Sequence, residues 1–316
     1  MNARGCNRMS QRGSYNDRDD VQQGIADDGI EASDKVRRTE WRVLGTGVND
    51  LFVREWLPAA GKPKAVICLA HGHGEHGERY AHVAKELAAD GYATIAYDHY
   101  GHGRSQGKRG HMLSMEAAIA DLTLMLEQCA KRHAEIPLFL YGHSMGGNIA
   151  LNCAIRTKPD LAGLVLTSPW LRLAFKPPAV KEWLGRRLAT FWPSLPMSTG
   201  LKEEDLFRQN GTEASRSRSM KGDPLSHTII TPRAFTEIQD AGEWAIKHVN
   251  ELHVPLLLLH GTADRVTSYA ASKELADGMR EGCDWNPWQD GLHELHNDLQ
   301  GGEAIACIKA WMNDKL

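Results

Sequence analysis

The sequence lacks an apolar run long enough to cross a membrane. Its longest such run, residues 254–259, falls far short of the roughly 20 residues that a spanning helix needs. The first 35 residues also lack the apolar core of a secretory signal and contain few large apolar side chains. We therefore expect a disordered tail over residues 1–35 and a cytoplasmic protein, with any membrane association peripheral.

An excess of charge of one sign is also missing. The 37 Lys and Arg residues nearly balance the 40 Asp and Glu residues, so no field is available to hold a polyanion and nucleic acid is not an expected partner. The six cysteines form no CxxC pair, and most of them lie in apolar segments. This pattern predicts buried free thiols in a reducing compartment rather than a disulfide framework.

What the sequence does contain is a regular alternation of short buried strands and amphipathic helices. A hairpin is predicted at residues 41–45 and 51–57, and further strands at 65–70, 92–97, 138–141, 163–167, 256–260 and 283–288. Helices are predicted near residues 79–89, 114–133, 146–157, 268–280 and 301–313. Such alternation predicts a single α/β domain over residues 36–316, with a mostly parallel sheet covered by helices on both faces.

One interval breaks this alternation and predicts an inserted cap at about residues 169–246, because a typical connection between strands is far shorter. Apolar side chains within it recur at helical spacing: Val180, Trp183, Leu184, Leu188, Phe191 and Trp192. We expect an amphipathic helix that buries this stripe on the main body. The alternative is a lid whose apolar face lines a substrate tunnel and makes transient contact with a lipid surface.

A candidate nucleophile stands at the centre of the chain. Residues 142–146 read Gly-His-Ser-Met-Gly, directly after a predicted strand and directly before a predicted helix. This context is the one that a nucleophile elbow requires, where a serine sits on a sharp turn flanked by small residues. Ser144 is therefore the predicted nucleophile.

A serine hydroxyl needs a base to take its proton and an acid to orient that base, and in this arrangement the chain order is Ser, acid, His. Asp264 follows a late predicted strand and is the candidate acid. Two histidines, His293 and His296, follow the last strand. We favour His293 as the base because it lies closer to the end of that strand.

The oxyanion of an acyl-transfer intermediate needs two N–H donors. One is expected from Met145, the residue after the nucleophile. The other is expected from His73, in the loop after an early strand, where Gly72 and Gly74 give the backbone freedom to turn inward.

Six segments together resemble the monoglyceride lipase and lysophospholipase branch of the serine α/β hydrolases. They are HGHGEHGERY from His71, AYDHYGHGRSQG from Ala96, YGHSMGGNIA from Tyr141, SPW from Ser168, LLLHGTADRV from Leu257 and GLHELHND from Gly291. The resemblance implies the α/β-hydrolase fold, with an eight-stranded sheet and a helical cap, and esterase activity on lipid-like substrates such as monoacylglycerols or lysophospholipids. It also implies a Ser144–Asp264–His293 triad with the His73 and Met145 N–H groups as oxyanion donors, and no metal or organic cofactor. His73 departs from the family, which usually has a small or apolar residue there.

Three other interpretations remain open at this point. The cluster of His71, His73, Glu75 and His76 approximates a zinc-binding motif of metal-dependent hydrolases, although Glu replaces the usual Asp. The same triad would also serve an aminopeptidase, a thioesterase or a carbon–carbon hydrolase. The scaffold can also carry a non-catalytic binding protein, although such proteins commonly lose a member of the triad.

Overall fold

The computed structural model of the protein describes residues 36–175, 179–209 and 219–316. Its strands are β1 Val36–Leu44, β2 Asp50–Pro58, β3 Ala65–Ala70, β4 Tyr92–Tyr97, β5 Leu138–His143, β6 Gly163–Thr167, β7 Met197–Ser198, β8 Ile229–Ile230, β9 Leu256–Gly261 and β10 Cys283–Trp288. Its helices are α1 Ala81–Ala89, α2 Met115–Arg132, α3 Ser144–Thr157, α4 Ala179–Phe191, α5 Glu203–Leu206, α6 Pro232–His248, α7 Tyr269–Gly278 and α8 Gly301–Asn313. The predicted tail, residues 1–35, lies outside the described residues.

Eight strands form one sheet in the order β1-β2-β4-β3-β5-β6-β9-β10. Strand β2 runs antiparallel to both of its neighbours, and every other adjacent pair is parallel. The sheet, the strands and the five predicted helices are confirmed, and the helix ends agree to within two residues. Among the strands, only the start of the first one differs from the prediction by more than two residues: it lies at Val36 rather than Trp41. The α/β fold class is therefore as predicted.

The sheet divides the core into two halves. Consecutive side chains of a strand point to opposite faces, so in β3 Ile67 and Leu69 pack toward α1 and α8. Val66 and Cys68 pack toward α2, α3, α6 and α7. Burial on both faces explains why the central strands read as continuous apolar runs. Cys68, Cys129 and Cys153 are buried and free of disulfides, as predicted.

The interval between β6 and β9 holds α4, α5, α6 and the antiparallel pair β7–β8. Helix α6 packs on α3 and contributes Ile238, Ala241 and Ala245 to the core. Helix α4 lies on α6, where Arg186 pairs with Asp240. The assignment of residues 169–246 to a cap stays a prediction.

The expectation that α4 buries its apolar stripe is wrong. Val180 is 70% exposed, Trp183 58% and Phe191 66%. Helical spacing shows that a helix is two-sided, but it does not show which side meets protein. Because α4 lies on α6 rather than on the sheet, much of its apolar side is left facing outward. In the part of the chain that the structure describes, no helix combines the length and the apolar character needed to span a bilayer.

Candidate active site

Ser144 stands at the junction of β5 and α3, at the carboxyl end of the sheet. Its φ of +51° places it in the left-handed region, which a non-glycine residue rarely adopts. The helix that follows crosses the end of β3 so closely that a Cβ on Gly146 would lie 2.1 Å from the carbonyl oxygen of Ala70. The strand, the turn and the glycine together present the serine hydroxyl at the floor of a cavity.

The structure brings the three predicted triad residues together. The Ser144 hydroxyl is 2.9 Å from Nε2 of His293, and Nδ1 of His293 is 2.8 Å from Oδ2 of Asp264. The competing His296 instead stacks on the ring of Tyr80, with 4.6 Å between the ring centroids. Of the two histidines, His293 is the one within hydrogen-bond reach of the serine.

Asp264 is fully buried and held on both of its carboxylate oxygens. Oδ1 accepts the backbone N–H groups of Val266 (2.7 Å) and Thr267 (3.0 Å), while Oδ2 accepts the Thr267 hydroxyl at 2.9 Å. Burial alone would raise the pKa of this carboxyl, but His293 and the hydrogen bonds from His260 and His293 hold it far below its usual range. Asp264 therefore remains ionised across the working pH range.

His293 is also buried, and opposing effects act on its pKa. Burial lowers the pKa, whereas the charge of Asp264 and its hydrogen bond raise it, and the net pKa lies above the ordinary value of 6.5. His143 lies against it, with 4.9 Å between the ring centroids. Burial, and then His293 itself, lowers the pKa of His143 to about 3. His143 is therefore a neutral neighbour that packs the base without adding charge.

The loop that carries His73 is fixed by a buried ionic network that sequence reasoning missed. Oε1 of Glu75 accepts the Gly72 N–H at 2.5 Å and the Tyr80 hydroxyl at 2.7 Å. Arg79 joins Glu75 (3.2 Å) to Glu294 (2.8 Å), the residue after the base. The signal was present, since Glu75 and Arg79 are four apart in the HGHGEHGERY segment, but spacing alone did not show that Glu294 completes the network.

A strap over residues 223–231 fastens the segment between β6 and β9 to this loop and to the loop at residues 101–111. Gly74 accepts the His227 N–H at 2.8 Å, and its φ of +79° and the 2.3 Å from a hypothetical Cβ to the His227 oxygen leave room only for glycine. Nε2 of His73 donates to the Ile229 carbonyl at 2.8 Å. The side chain that departs from the family pattern therefore ties the strap to the site.

The side chains that were considered as zinc ligands each form a hydrogen bond or ion pair with a different partner. His71 bonds to Gly72, at 2.7 Å, and to His99. His76 lies 2.7 Å from Asp223, and Glu75 belongs to the ionic network. Across residues 36–175, 179–209 and 219–316, no group of three or more His, Cys, Asp or Glu side chains is arranged to hold a metal ion. The zinc hypothesis is therefore not favoured.

A cavity of about 520 Å³ opens above Ser144 and His293. Its catalytic end includes Gly72, His73 and Glu75. Most of the remaining wall comes from the segment between β6 and β9 and is largely apolar. The apolar wall residues are Trp170, Leu173, Phe175, Met197, Leu201, Leu206, Met220, Ile230, Phe235 and Val266.

The strand order of the sheet, the nucleophile elbow at Ser144 and the hydrogen bonds that join Ser144, His293 and Asp264 together define a serine hydrolase of the α/β-hydrolase class. A family model described as serine aminopeptidase, S33, matches residues 61–300. Human monoglyceride lipase is 33% identical over 255 residues, which cover 79% of this chain and 81% of that protein. This chain belongs to the same family of serine hydrolases, in its monoglyceride lipase-like branch.

Two further similarities extend the comparison. The crystal structure of a monoacylglycerol lipase from Paleococcus ferrophilus matches with a TM-score of 0.73 and 28% identity, over 89% of this chain and 99% of that one. An abhydrolase domain-containing protein of Dictyostelium discoideum is 31% identical over 87% of this chain, which spans only 29% of that relative's length. The Dictyostelium relative is therefore much longer than the region that this chain matches.

Proposed function

We propose that this protein is a serine ester hydrolase that cleaves monoacylglycerol-like lipids, including lysophospholipids, through an acyl-enzyme intermediate. The observation that carries the proposal is the Ser144–His293–Asp264 chain of hydrogen bonds at the floor of a cavity whose walls are largely apolar. The names of the human and Paleococcus relatives support the same substrate class.

In the proposed mechanism Ser144 attacks the ester carbonyl while Nε2 of His293 takes the hydroxyl proton. Asp264 holds the imidazole with its proton on Nδ1 and stabilises the imidazolium. The N–H groups of His73 and Met145 bind the oxyanion. His293 then gives its proton to the leaving alcohol, and a water activated by the same histidine releases the fatty acid.

The carboxylates around the cavity favour an ester over a peptide substrate. An aminopeptidase needs an acidic group that is available to bind the substrate's α-ammonium. Of the three glutamates in the described lining, Glu75 and Glu294 are paired with Arg79. The third, Glu203, accepts the Met220 N–H and the Ser219 hydroxyl. These carboxylates are already ion-paired or hydrogen-bonded within the protein.

The experiment that tests the proposal is a substrate panel. Monoacylglycerols and lysophospholipids of increasing acyl length, short soluble esters, acyl thioesters and aminoacyl amides are compared at equal concentration, with and without a chelator. We expect chelator-resistant turnover that is highest for a long-chain monoacylglycerol or lysophospholipid. Preference for the aminoacyl amide would move the protein to the peptidase function in the family description, and loss of turnover with the chelator would revive the zinc hypothesis.

The pH dependence of the reaction follows from His293. The base must be neutral to accept the proton of Ser144, and its pKa is raised above 6.5, so activity falls as the pH drops through that raised value. The acidic limb of a kcat/KM profile on a soluble ester should therefore have its midpoint above pH 6.5. Asp264 titrates far below this range and adds no second step. A midpoint at or below the ordinary histidine value contradicts this account of the base.

We further propose that the exposed side of α4 makes transient contact with membranes and that the protein is cytoplasmic. Trp183 and Phe191 are exposed there, and Trp192 is exposed directly after the helix. The guanidinium of Arg187 lies 5.4 Å from the ring of Trp183. Exposed aromatic residues with a neighbouring cation are typical of helices that lie on a bilayer surface. Gly185 of the same helix lines the cavity, so α4 itself adjoins the path of a lipid substrate. The free, buried cysteines support a reducing compartment.

Replacing Trp183 and Phe191 together by serine should weaken binding to phosphatidylcholine vesicles that contain long-chain monoacylglycerol, because it removes aromatic surface that would enter the bilayer. Turnover in the vesicles should fall by about tenfold, while turnover of a short soluble ester stays at the wild-type level. The matched control is Leu44→Ser, which removes an apolar side chain that is 61% exposed on β1. An equal loss on both substrates, or the same loss in the control, argues against a membrane surface at α4.

A further inference from the structure

A second histidine contacts the carboxylate of Asp264. His260 is the penultimate residue of β9, four residues before Asp264, and its Nε2 lies 3.1 Å from Oδ2 of Asp264. The side chains of both residues are fully buried. Sequence reasoning used His260 only to mark the end of a strand, yet the turn after β9 brings it to the same carboxylate oxygen that His293 contacts.

The hydrogen-bond partners of His260 determine which ring nitrogen carries its proton. Nε2 faces Oδ2 of Asp264 and also the carbonyl of Thr267 at 3.3 Å. Neither group has a proton to give, so Nε2 must be the donor. Nδ1 lies 2.7 Å from the hydroxyl of Ser272, and in the tautomer with its single proton on Nε2 it accepts that hydroxyl. Ser272 is fully buried in the first turn of α7, so the ring is held from both ends.

We propose that His260, held by Ser272, is a positioning residue for the catalytic acid. The two buried pairs, Ser144–His293 and Ser272–His260, meet at Oδ2 of Asp264. The N–H of His260 fixes the rotation of the carboxylate so that Oδ2 faces Nδ1 of His293. The same donor withdraws negative charge from Oδ2 and so limits how far Asp264 raises the pKa of His293. This inference rests on the triad of the proposed function but not on the identity of the lipid substrate.

The test uses three substitutions in the full-length protein. His260→Leu removes the donor, His260→Gln keeps an amide N–H at about the distance of Nε2, and His260→Asn keeps an amide that is too short to reach. We expect His260→Leu and His260→Asn to lower kcat by about 10- to 100-fold, with KM unchanged. This is the usual effect of losing a hydrogen bond to a charged group. The midpoint of the acidic limb of the pH profile should move to higher pH, because Asp264 raises the pKa of His293 further once the His260 donor is gone. His260→Gln should bring both kcat and the midpoint of the acidic limb back toward the wild-type values.

These readouts separate positioning from a merely structural role. A structural role would lower the melting temperature of all three variants without moving the acidic limb and without distinguishing Gln from Asn. Ser272→Ala provides a milder variant, which should shift the limb in the same direction as Leu by a smaller amount. Wild-type kcat and an unmoved limb in both His260→Asn and Ser272→Ala would overturn the inference.

A second measurement separates failure of this inference from failure of the proposed function. The rate at which a fluorescent phosphonate labels Ser144 reports activation of the nucleophile without any lipid substrate. If the wild type is labelled but does not hydrolyse monoacylglycerols, the substrate class is wrong and the His260 variants still test the inference through their labelling rates. If Ser144 of the wild type is not labelled, the triad itself is wrong, and the inference fails with it.

Discussion

Ser144→Ala should lower kcat toward esters by about 10⁵-fold or more, which is the usual consequence of removing the nucleophile of a triad. A covalent step needs an oxygen within reach of Nε2 of His293, and among the described residues the Ser144 hydroxyl is the one found hydrogen-bonded to that atom, at 2.9 Å. The measurement is single-substrate kinetics on the ester that the panel identifies as best, with wild type and variant prepared side by side.

Two controls make this result interpretable. The thermal midpoint of the variant should stay close to that of the wild type, because the substitution removes one oxygen from a residue that is only 5% exposed and leaves its backbone position intact. Covalent labelling by a fluorescent phosphonate should be lost with the serine. Turnover that survives the substitution would mean that another residue carries the chemistry, and the histidines of the HGHGEH segment would then be the next candidates.

Asp264→Asn should lower kcat/KM by about 10⁴-fold, as expected when the base is held in the wrong tautomer. The N–H groups of Val266 and Thr267 occupy Oδ1, so the amide oxygen of the asparagine must take that position. The amide NH₂ then replaces Oδ2 and donates to Nδ1 of His293. The proton of His293 moves to Nε2, which can no longer accept the proton of Ser144.

The matched control for this change is Asp223→Asn. Asp223 forms another Asp–His pair, with Oδ2 lying 2.7 Å from Nε2 of His76, but it lies in the strap and does not contact Ser144 or His293. We expect that variant to lose less than about tenfold in kcat/KM, since it removes a partly exposed pairing only. Equal losses in the two variants would show that Asp264 acts through folding rather than through the tautomer of His293.

Most of the fold and the three triad residues could be predicted from the sequence, because the relevant signals are local. A strand that is buried on both faces must be apolar throughout, and a strand followed at once by Gly-x-Ser-x-Gly and a helix leaves few conformations for the serine. Helix and strand ends were therefore predicted to within a few residues, and Ser144, Asp264 and His293 were all named before their distances were known. The chain order of acid and base then identified Asp264 and His293, since the carboxyl ends of parallel strands lie at one edge of the sheet.

Tertiary structure decided what depends on contacts between distant segments. Helical spacing predicted a helix near residues 180–192, but only the packing of α4 on α6 showed that its apolar side faces outward. The sequence favoured His293 over His296, and the 2.9 Å distance to Ser144 agrees with that choice. The roles of Arg79, Glu294 and His260 required knowing which side chains meet across the ends of β3, β9 and β10. The sequence alone determined the fold and the kind of chemistry, because these follow from periodicity and local turns. Only the folded chain decided how the acid is held, how the segment between β6 and β9 lines the cavity and which surface remains exposed, because these depend on residues far apart in sequence.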